Sequence, residues 1–141
     1  MSADGVTLAK LDRTAGETFR TLRRELGVSS FGINLLVLHP GQRLRIHSHE
    51  HQEEVYLVLE GELTLLVERE PTRLGPDELA RVAPGVRRQL VNAGPDALVV
   101  LALGGAGEHV GRDGRAWSDW DEAGPGRAPQ DVPLPEDLPA G

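Results

Sequence analysis

Apolar and polar residues alternate along the middle of the chain, which is the pattern of half-buried β-strands. The alternating segments cover residues 31–38, 43–49, 54–59, 62–67, 79–82, 89–91 and 97–103. Proline-glycine pairs at 40–41 and 84–85 separate some of them. Many short strands with turns between them and almost no helical periodicity predict an all-β protein, either a sandwich or a barrel.

The pattern is different before this region. Phe19, Leu22 and Leu26 recur at helical spacing ahead of Gly27, which predicts a short N-terminal helix, with an edge strand as the alternative. The chain is therefore expected to divide into an N-terminal arm (1–29), a barrel (30–105) and a C-terminal extension (106–141).

The C-terminal extension offers few apolar residues to bury. Trp117 and Trp120 lie three residues apart, which predicts one helical turn whose indoles pack on the barrel. Prolines at 125, 129, 133, 135 and 139 predict an irregular tail that is extended or partly disordered. We expect that residues 129–141 can be removed at a cost of less than about 1 kcal/mol in the free energy of unfolding.

The composition narrows the kinds of site and partner. The chain has 141 residues, no cysteine and a formal net charge of -7. This acidity argues against a nucleic-acid partner, because phosphate contacts need a basic surface. Without thiolates, a metal site must use histidine, carboxylate and water. No signal peptide and no apolar run of membrane-spanning length are visible, so we expect a cytoplasmic protein with no membrane partner.

The candidate chemistry is concentrated in one stretch, which reads GQRLRIHSHEHQEEVYLVLEG from Gly41 to Gly61. His47 and His49 are two apart on a predicted strand, so both rings point to the same side, which they share with Arg45. Glu54 opens the next strand after a short polar loop. Two imidazoles and a carboxylate brought together in this way predict a divalent-metal site.

The spacing of this stretch resembles the first sequence motif of the cupins, G-x(5)-H-x-H-x(3,4)-E-x(6)-G. Gly41, His47, His49, Glu54 and Gly61 match every fixed position. The resemblance implies a single antiparallel cupin-type β-barrel, jelly-roll-like, with a metal or ligand site inside it. It also implies a homodimer.

The second cupin motif, G-x(5)-P-x-G-x(2)-H-x(3)-N, is matched less well by DELARVAPGVRRQLVN. Gly85 and Asn92 match, whereas Asp77 and Ala83 replace the glycine and the proline. Arg88 replaces the histidine that is usually the fourth metal ligand in cupins. An arginine has no free lone pair, so Arg88 cannot act as that ligand.

Two interpretations of the site follow, and the sequence leaves both open. In the first, His47, His49 and Glu54 bind Zn, Ni, Mn or Fe, and Arg88 holds an anionic small-molecule substrate of a dioxygenase- or isomerase-like enzyme. Tyr56 and Arg45 are further candidate substrate contacts. In the second, Arg88 pairs with Glu54, no metal binds, and the barrel is a non-catalytic cupin that binds an anionic small molecule. A structural or partner-binding barrel is a third class.

Other polar residues are predicted to have structural roles. His51 and Glu53 are expected in a solvated loop, with His51 as an alternative ligand. Asn92 is expected to cap its turn. His109, after the last strand, is expected at the surface, with a place over the barrel mouth as the alternative.

Overall fold

The computed structural model of the protein describes residues 2–13, 17–105 and 113–139. Its strands, in chain order, are β1 (Ser2–Ala3), β2 (Val6–Thr7), β3 (Phe19–Thr21), β4 (Gly32–Leu38), β5 (Ile46–His49), β6 (Glu53–Glu60), β7 (Leu63–Val67), β8 (Glu70–Leu74), β9 (Leu79–Val82), β10 (Arg88–Val91), β11 (Leu98–Gly105) and β12 (Gly114–Trp117). The helix α1 (Leu22–Leu26) follows β3, and a 3₁₀ turn (Pro129–Asp131) lies in the tail.

Ten of these strands form two five-stranded sheets. The order is β12–β5–β10–β7–β8 in the first sheet and β3–β4–β11–β6–β9 in the second. The strand pairs in both sheets are antiparallel. The remaining pair, β1 and β2, forms a separate hairpin. The predicted all-β, jelly-roll-like architecture is confirmed.

The space between the two sheets is filled by one apolar cluster. Leu36 and Leu38 of β4, Val58 of β6, Leu65 of β7 and Val100 of β11 are all buried in it. Because side chains alternate between the two faces of a strand, each sheet contributes every second residue to this interior. Burial of this apolar surface, worth about 25 cal/mol per Å², is the main force that holds the two sheets together.

A smaller cluster covers the outer face of the second sheet. Leu35 of β4 and Val99 of β11 belong to it, and Leu22 of α1 packs on them. The helix ends at Gly27, whose φ of +73° is the left-handed conformation that glycine adopts most easily. The helix and the edge strand considered for this segment both occur, because β3 continues directly into α1.

Two residues of the sequence motifs, Gly61 and Asn92, are required by the geometry of tight turns rather than by the chemistry of the site. Gly61, between β6 and β7, has a φ of +80°, and a Cβ there would lie 2.4 Å from the carbonyl oxygen of Ala97. Only glycine fits this close approach. Asn92 is fully buried and caps its turn as predicted, because its Oδ1 accepts a hydrogen bond from the Gly94 backbone N–H.

The C-terminal extension adds a strand to the first sheet, which the sequence pattern does not predict. β12 pairs with β5 and places Ala116 opposite His47. Trp117 is the last residue of β12, so the predicted helical turn is wrong there. Pairing with β5 satisfies the backbone groups of this segment and overrides its local spacing. The indoles of Trp117 and Trp120 flank the Arg87 guanidinium, with centroid distances of 5.5 and 5.6 Å.

The tail after this strand is extended, as predicted, but it is packed against the barrel. Val132 is only 2% exposed. The Leu138 N–H donates to the Gly41 carbonyl at 2.7 Å, and Arg43 Nε donates to the Glu136 carbonyl at 2.7 Å. The expectation that the tail has little to bury is therefore wrong. Its anchors are one valine and several backbone groups, and neither produces a recognisable sequence pattern.

Two strands lie outside the residues predicted for the barrel, β3 before residue 30 and β12 after residue 105. Both are edge strands, so they extend the two sheets without changing the order inside them. Within the described residues, the chain contains no helix that is long and apolar enough to cross a membrane.

Candidate metal centre and its cavity

Three strands bring the candidate ligands and Arg88 together inside the barrel. His47 and His49 lie two apart on β5, so their rings point to the same side. Glu54 is the second residue of β6, which belongs to the other sheet. Arg88 begins β10 and lies directly opposite His47. The site therefore spans both sheets, and only the folded barrel brings its residues into contact.

The ring nitrogens of both histidines face the carboxylate. His47 Nε2 is 3.5 Å from Glu54 Oε1, and His49 Nε2 is 3.5 Å from Glu54 Oε2. The two rings lie edge to face, with centroids 5.3 Å apart. One ligand atom from each of the three residues lies within 4.8 Å of the others. These three side chains are the candidate metal centre.

A backbone carbonyl just before β5 orients the ring of His47. Its Nδ1 lies 3.2 Å from the carbonyl oxygen of Arg45. A carbonyl can only accept, so the neutral ring carries its proton on Nδ1 and presents the Nε2 lone pair to the site. Metal-binding histidines usually have such a partner on the second nitrogen. For His49, Nδ1 is buried and has no hydrogen-bond partner in the part of the chain that the structure describes.

Arg88 and Tyr56 hold the carboxylate of Glu54 from the other side. The Tyr56 hydroxyl donates to Glu54 Oε1, and Arg88 Nη2 donates to the same oxygen at 3.0 Å. Arg88 also donates from Nε to the Tyr56 oxygen at 3.2 Å and from Nη1 to the Val86 carbonyl at 2.8 Å. Arg88 is completely buried. Its charge therefore compensates Glu54 and fixes the orientation of that carboxylate.

Burial and these contacts set the charges in the site. Burial lowers the pKa of His47, which leaves its ring neutral near pH 7. Burial on its own would raise the pKa of Glu54, but its close contacts with His47 and His49 outweigh burial and hold that pKa well below its usual value. When His47 is neutral, the ion pair with Arg88 still keeps Glu54 ionised. Burial, together with the charge of Glu54, raises the pKa of Tyr56 well above 10.0, so the phenol stays protonated.

A cavity of about 190 Å³ lies beside the candidate metal centre. Its polar wall is formed by Asn34, Arg45, His47, His49, Glu54 and Tyr56. Its apolar wall is formed by Phe19, Leu36, Leu44, Leu90, Ala102 and Pro129. Phe19 comes from the N-terminal arm and Pro129 from the tail, so both ends of the chain help to shape the cavity.

The donor set fits a divalent metal ion. Two imidazoles and a carboxylate suit Zn, Ni, Mn or Fe. The nitrogen–oxygen separations of 3.5 Å are less than twice the roughly 2.1 Å metal–ligand distance, so an ion could contact the carboxylate and each imidazole. The ligands border the cavity, which leaves coordination positions open to water or substrate. The charge of Arg88 opposes the cation, so affinity should be lower than with a neutral fourth ligand.

The predicted substrate contacts have different positions. Arg45 and Tyr56 line the cavity. In the part of the chain that the structure describes, Arg88 does not line the cavity, because its guanidinium is buried against Glu54, Tyr56 and the Val86 carbonyl. In this arrangement Arg88 positions Glu54 and has no exposed surface for a ligand.

The loop between the two ligand-bearing strands is fastened by a residue that the sequence did not indicate. Asp113 accepts hydrogen bonds from the backbone N–H groups of His51 and Gln52, at 2.9 and 3.0 Å, and from His51 Nδ1 at 2.8 Å. His51 is exposed as predicted, but it binds Asp113 rather than the metal centre. Glu53 is exposed beside Arg81. His109 lies outside the described residues.

A jelly-roll barrel that encloses two histidines and a carboxylate beside a small cavity defines a cupin-type protein. The family model of the cupin domain matches residues 34–104, half of the chain. This chain belongs to the cupin superfamily. A search of curated proteins finds no match.

Solved structures support the same fold. A proposed sugar phosphate isomerase from Acidithiobacillus ferrooxidans is 26% identical, with a TM-score of 0.58, over 65% of this chain and 58% of that one. A cupin-superfamily sugar phosphate isomerase from Silicibacter pomeroyi is 24% identical, with a TM-score of 0.62, over 81% and 76% of the two chains. A double-stranded β-helix protein from Klebsiella pneumoniae is 17% identical, with a TM-score of 0.66, over 84% and 98%. This chain thus spans less than two thirds of the first of these proteins.

Proposed function

We propose that this cupin binds a divalent metal ion through His47, His49 and Glu54 and acts as a metal-dependent enzyme on a small molecule in the adjoining cavity. The observation that carries the proposal is the convergence of these three ligand groups, within 4.8 Å of one another, at the cavity wall. When bound, the metal supplies Lewis-acid activation of a coordinated oxygen.

The residues around the metal centre have distinct tasks in this proposal. The Arg45 carbonyl orients His47, while Arg88 and Tyr56 fix the carboxylate of Glu54. The apolar wall limits access of water to the ligand. Because Glu54 is committed to these contacts, it is not free to act as a general base.

Two reaction types stay within the proposal. A two-histidine, one-carboxylate set with open positions is typical of non-haem iron enzymes that activate dioxygen. The 26% identical protein described above is a proposed isomerase. Consumption of dioxygen during turnover separates the two types, because an isomerase leaves it unchanged. The small-molecule ligand and the homodimer stay predictions. Analytical ultracentrifugation would measure the oligomeric state directly.

Metal analysis of the purified protein tests the proposal. We expect native protein titrated with Mn²⁺, Ni²⁺, Zn²⁺ or Fe²⁺ to bind one ion per chain, and His49→Ala to reduce the affinity at least about a hundredfold. His51→Ala is the matched control, since His51 belongs to a separate surface group with Glu50 and Asp113. Loss of metal in the His51 variant but not in the His49 variant would place the ion in that surface group and contradict the proposal.

The pH dependence of metal occupancy provides a second measurement. Protons compete with metal for the imidazoles. Because burial lowers the pKa of His47, protonation of this ring begins only below the usual histidine value of about 6.5. Occupancy should therefore be constant at neutral pH and fall as the pH drops below that value. Elemental analysis after dialysis at several pH values records the transition.

A further inference from the structure

Arg45 places a positive charge in the cavity wall next to the candidate metal centre. Its side chain lines the cavity, while its Nε donates to the Val132 carbonyl of the tail. The tail thereby fixes the plane of the guanidinium. Arg45 and His47 are two residues apart in the chain, so their backbones are roughly 6.6 Å apart if the strand is extended. A small molecule can bridge that distance.

The charge of Arg45 is not compensated inside the described protein. Glu54, the carboxylate in the cavity wall, is already paired with Arg88 at 3.0 Å. No carboxylate among the described residues forms an ion pair with Arg45. A half-buried guanidinium that lines a cavity is a strong receptor for a planar anion such as a carboxylate.

The rest of the cavity does not suit a ligand with many hydroxyl groups. Its other wall is apolar, from Phe19 and Leu36 to Leu90 and Pro129. Burial of a hydroxyl against such a wall is unfavourable when the hydroxyl has no hydrogen-bond partner there. Outside the metal centre and Arg45, the polar wall offers Asn34 and Tyr56, and Tyr56 is occupied by Glu54 and Arg88.

The volume agrees with a small ligand. The cavity holds about 190 Å³, below the roughly 300–1,000 Å³ typical of pockets for drug-sized molecules. Phe19 is 45% exposed while it also lines the cavity, so it lies where the ligand would meet solvent.

We infer that the substrate is a small organic acid with an apolar body. Its carboxylate binds the Arg45 guanidinium, its apolar body lies on the leucine wall, and a second oxygen close to the carboxylate faces His47, His49 and Glu54. The inference rests on the proposed function for that last contact, whereas the contact with Arg45 does not require a metal. It separates this chain from the sugar phosphate isomerases whose fold it shares.

The test uses two probes that differ in a single group. α-Ketoisocaproate has a carboxylate, a ketone oxygen and an apolar body, whereas isobutyl methyl ketone lacks the carboxylate. Glucose-6-phosphate is the third probe. Isothermal titration of the native, metal-loaded protein should give a Kd for the acid at least about tenfold lower than for the ketone or for glucose-6-phosphate.

Two variants locate the anion contact. Arg45→Gln should remove the difference between acid and ketone. Arg43→Gln is the matched control, because Arg43 also donates its Nε to a carbonyl of the tail, that of Glu136, but does not line the cavity. This control should keep the preference for the acid.

Each outcome decides between the alternatives. Equal affinities for acid and ketone in native protein, or tighter binding of glucose-6-phosphate, would overturn the inference even if Arg45→Gln failed to fold. If the protein binds no metal at His47, His49 and Glu54 but still prefers the acid, and Arg45→Gln loses that preference, the inference is supported while the proposed metal function fails. If metal binds at the predicted ligands but the protein shows no preference for the acid, the proposed metal function is supported and the inference about the substrate is wrong.

Discussion

At the scale of single residues, the main departure from the cupin pattern is an arginine where a metal ligand is expected. Arg88 lies opposite His47 in the sheet and points to the same interior site. Instead of donating a lone pair, it donates hydrogen bonds to Glu54 and Tyr56. In place of a fourth possible ligand, the chain has a group that orients a carboxylate and puts a positive charge beside the candidate metal centre.

Arg88→His should therefore raise metal affinity. The change removes that charge and places an imidazole on the side of the strand that faces His47. We expect divalent ions to bind at least about tenfold more tightly than in native protein, or about 1.4 kcal/mol. Isothermal titration with Mn²⁺ or Zn²⁺ measures the difference.

Arg88→Gln separates the two causes, because it removes the charge without supplying a ligand. Its affinity should lie between those of the native protein and the histidine variant. Thermal unfolding checks that both variants fold, since loss of a buried ion-pair partner is destabilising. Equal affinity in all three proteins would mean that Arg88 does not influence the metal centre.

At the scale of elements, the loop between β5 and β6 depends on a carboxylate from outside the predicted barrel. The Asp113 side chain is 1% exposed and accepts the backbone N–H groups of His51 and Gln52. These residues connect His49 to Glu54. Without an acceptor, each buried N–H loses its hydrogen bond, and the spacing of the ligands loses its support.

Asp113→Ala should lower the free energy of unfolding by about 2 kcal/mol at pH 7. Burial alone would raise the pKa of Asp113, but the hydrogen bonds from His51 and Gln52 lower it below its usual value. A lowered folded-state pKa means that the stabilisation is present above the unfolded value of about 3.9 and is lost as the pH falls through the folded value. Urea unfolding should show the gap between native and variant shrinking below that pH.

Asp113→Asn is the control for this experiment, because its amide oxygen can still accept the two backbone N–H groups. It should retain most of the stability at pH 7. A gap between native protein and Asp113→Ala that stays constant from pH 7 to acid pH would show that the charge of Asp113 contributes nothing.

The elements also show where sequence reasoning succeeds and where it stops. The alternation along β4, β6 and β11 could be seen directly, because each strand buries every second side chain between the sheets. The spacing from His47 to Glu54 predicted that these side chains meet, because it is set by one strand and one short loop. β12 could not be predicted, since its strand conformation depends on an edge of β5 that only the folded chain provides.

The contacts of Asp113 and of the tail could not be predicted for a related reason. Asp113 accepts hydrogen bonds from backbone groups about sixty residues away, and the residues next to it in the sequence do not indicate these partners. Arg45 could be placed on the site side from its spacing to His47, but its second partner is the Val132 carbonyl. Backbone acceptors are the same at every position, so no residue type marks them.

At the scale of the whole molecule, the tail closes the barrel on the side of β5. Val132 is buried, and its carbonyl accepts from Arg45. Pro129 forms part of the cavity wall. His39 Nε2 and Asp137 Oδ2 lie 2.6 Å apart, which fastens the tail further along. The tail thus contributes to the stability of the barrel and to the shape of the cavity at the same time.

A chain that ends at Ala128 should therefore be less stable than the native protein by roughly 2–3 kcal/mol. Burial of a valine side chain is worth about 1.5–3 kcal/mol and each hydrogen bond about 1 kcal/mol, partly offset by the backbone entropy that the released tail regains. The same truncation should weaken the preference for α-ketoisocaproate over isobutyl methyl ketone, because Arg45 loses the carbonyl that holds its guanidinium.

A chain that ends at Leu138 is the control, since it keeps all of these contacts and its free energy of unfolding should be within about 0.5 kcal/mol of that of the native protein. Urea unfolding and isothermal titration of the three proteins give both quantities. A loss below about 1 kcal/mol for the longer truncation would mean that the tail is only loosely attached, as its composition alone suggested, and that Arg45 is held in the cavity by the barrel itself.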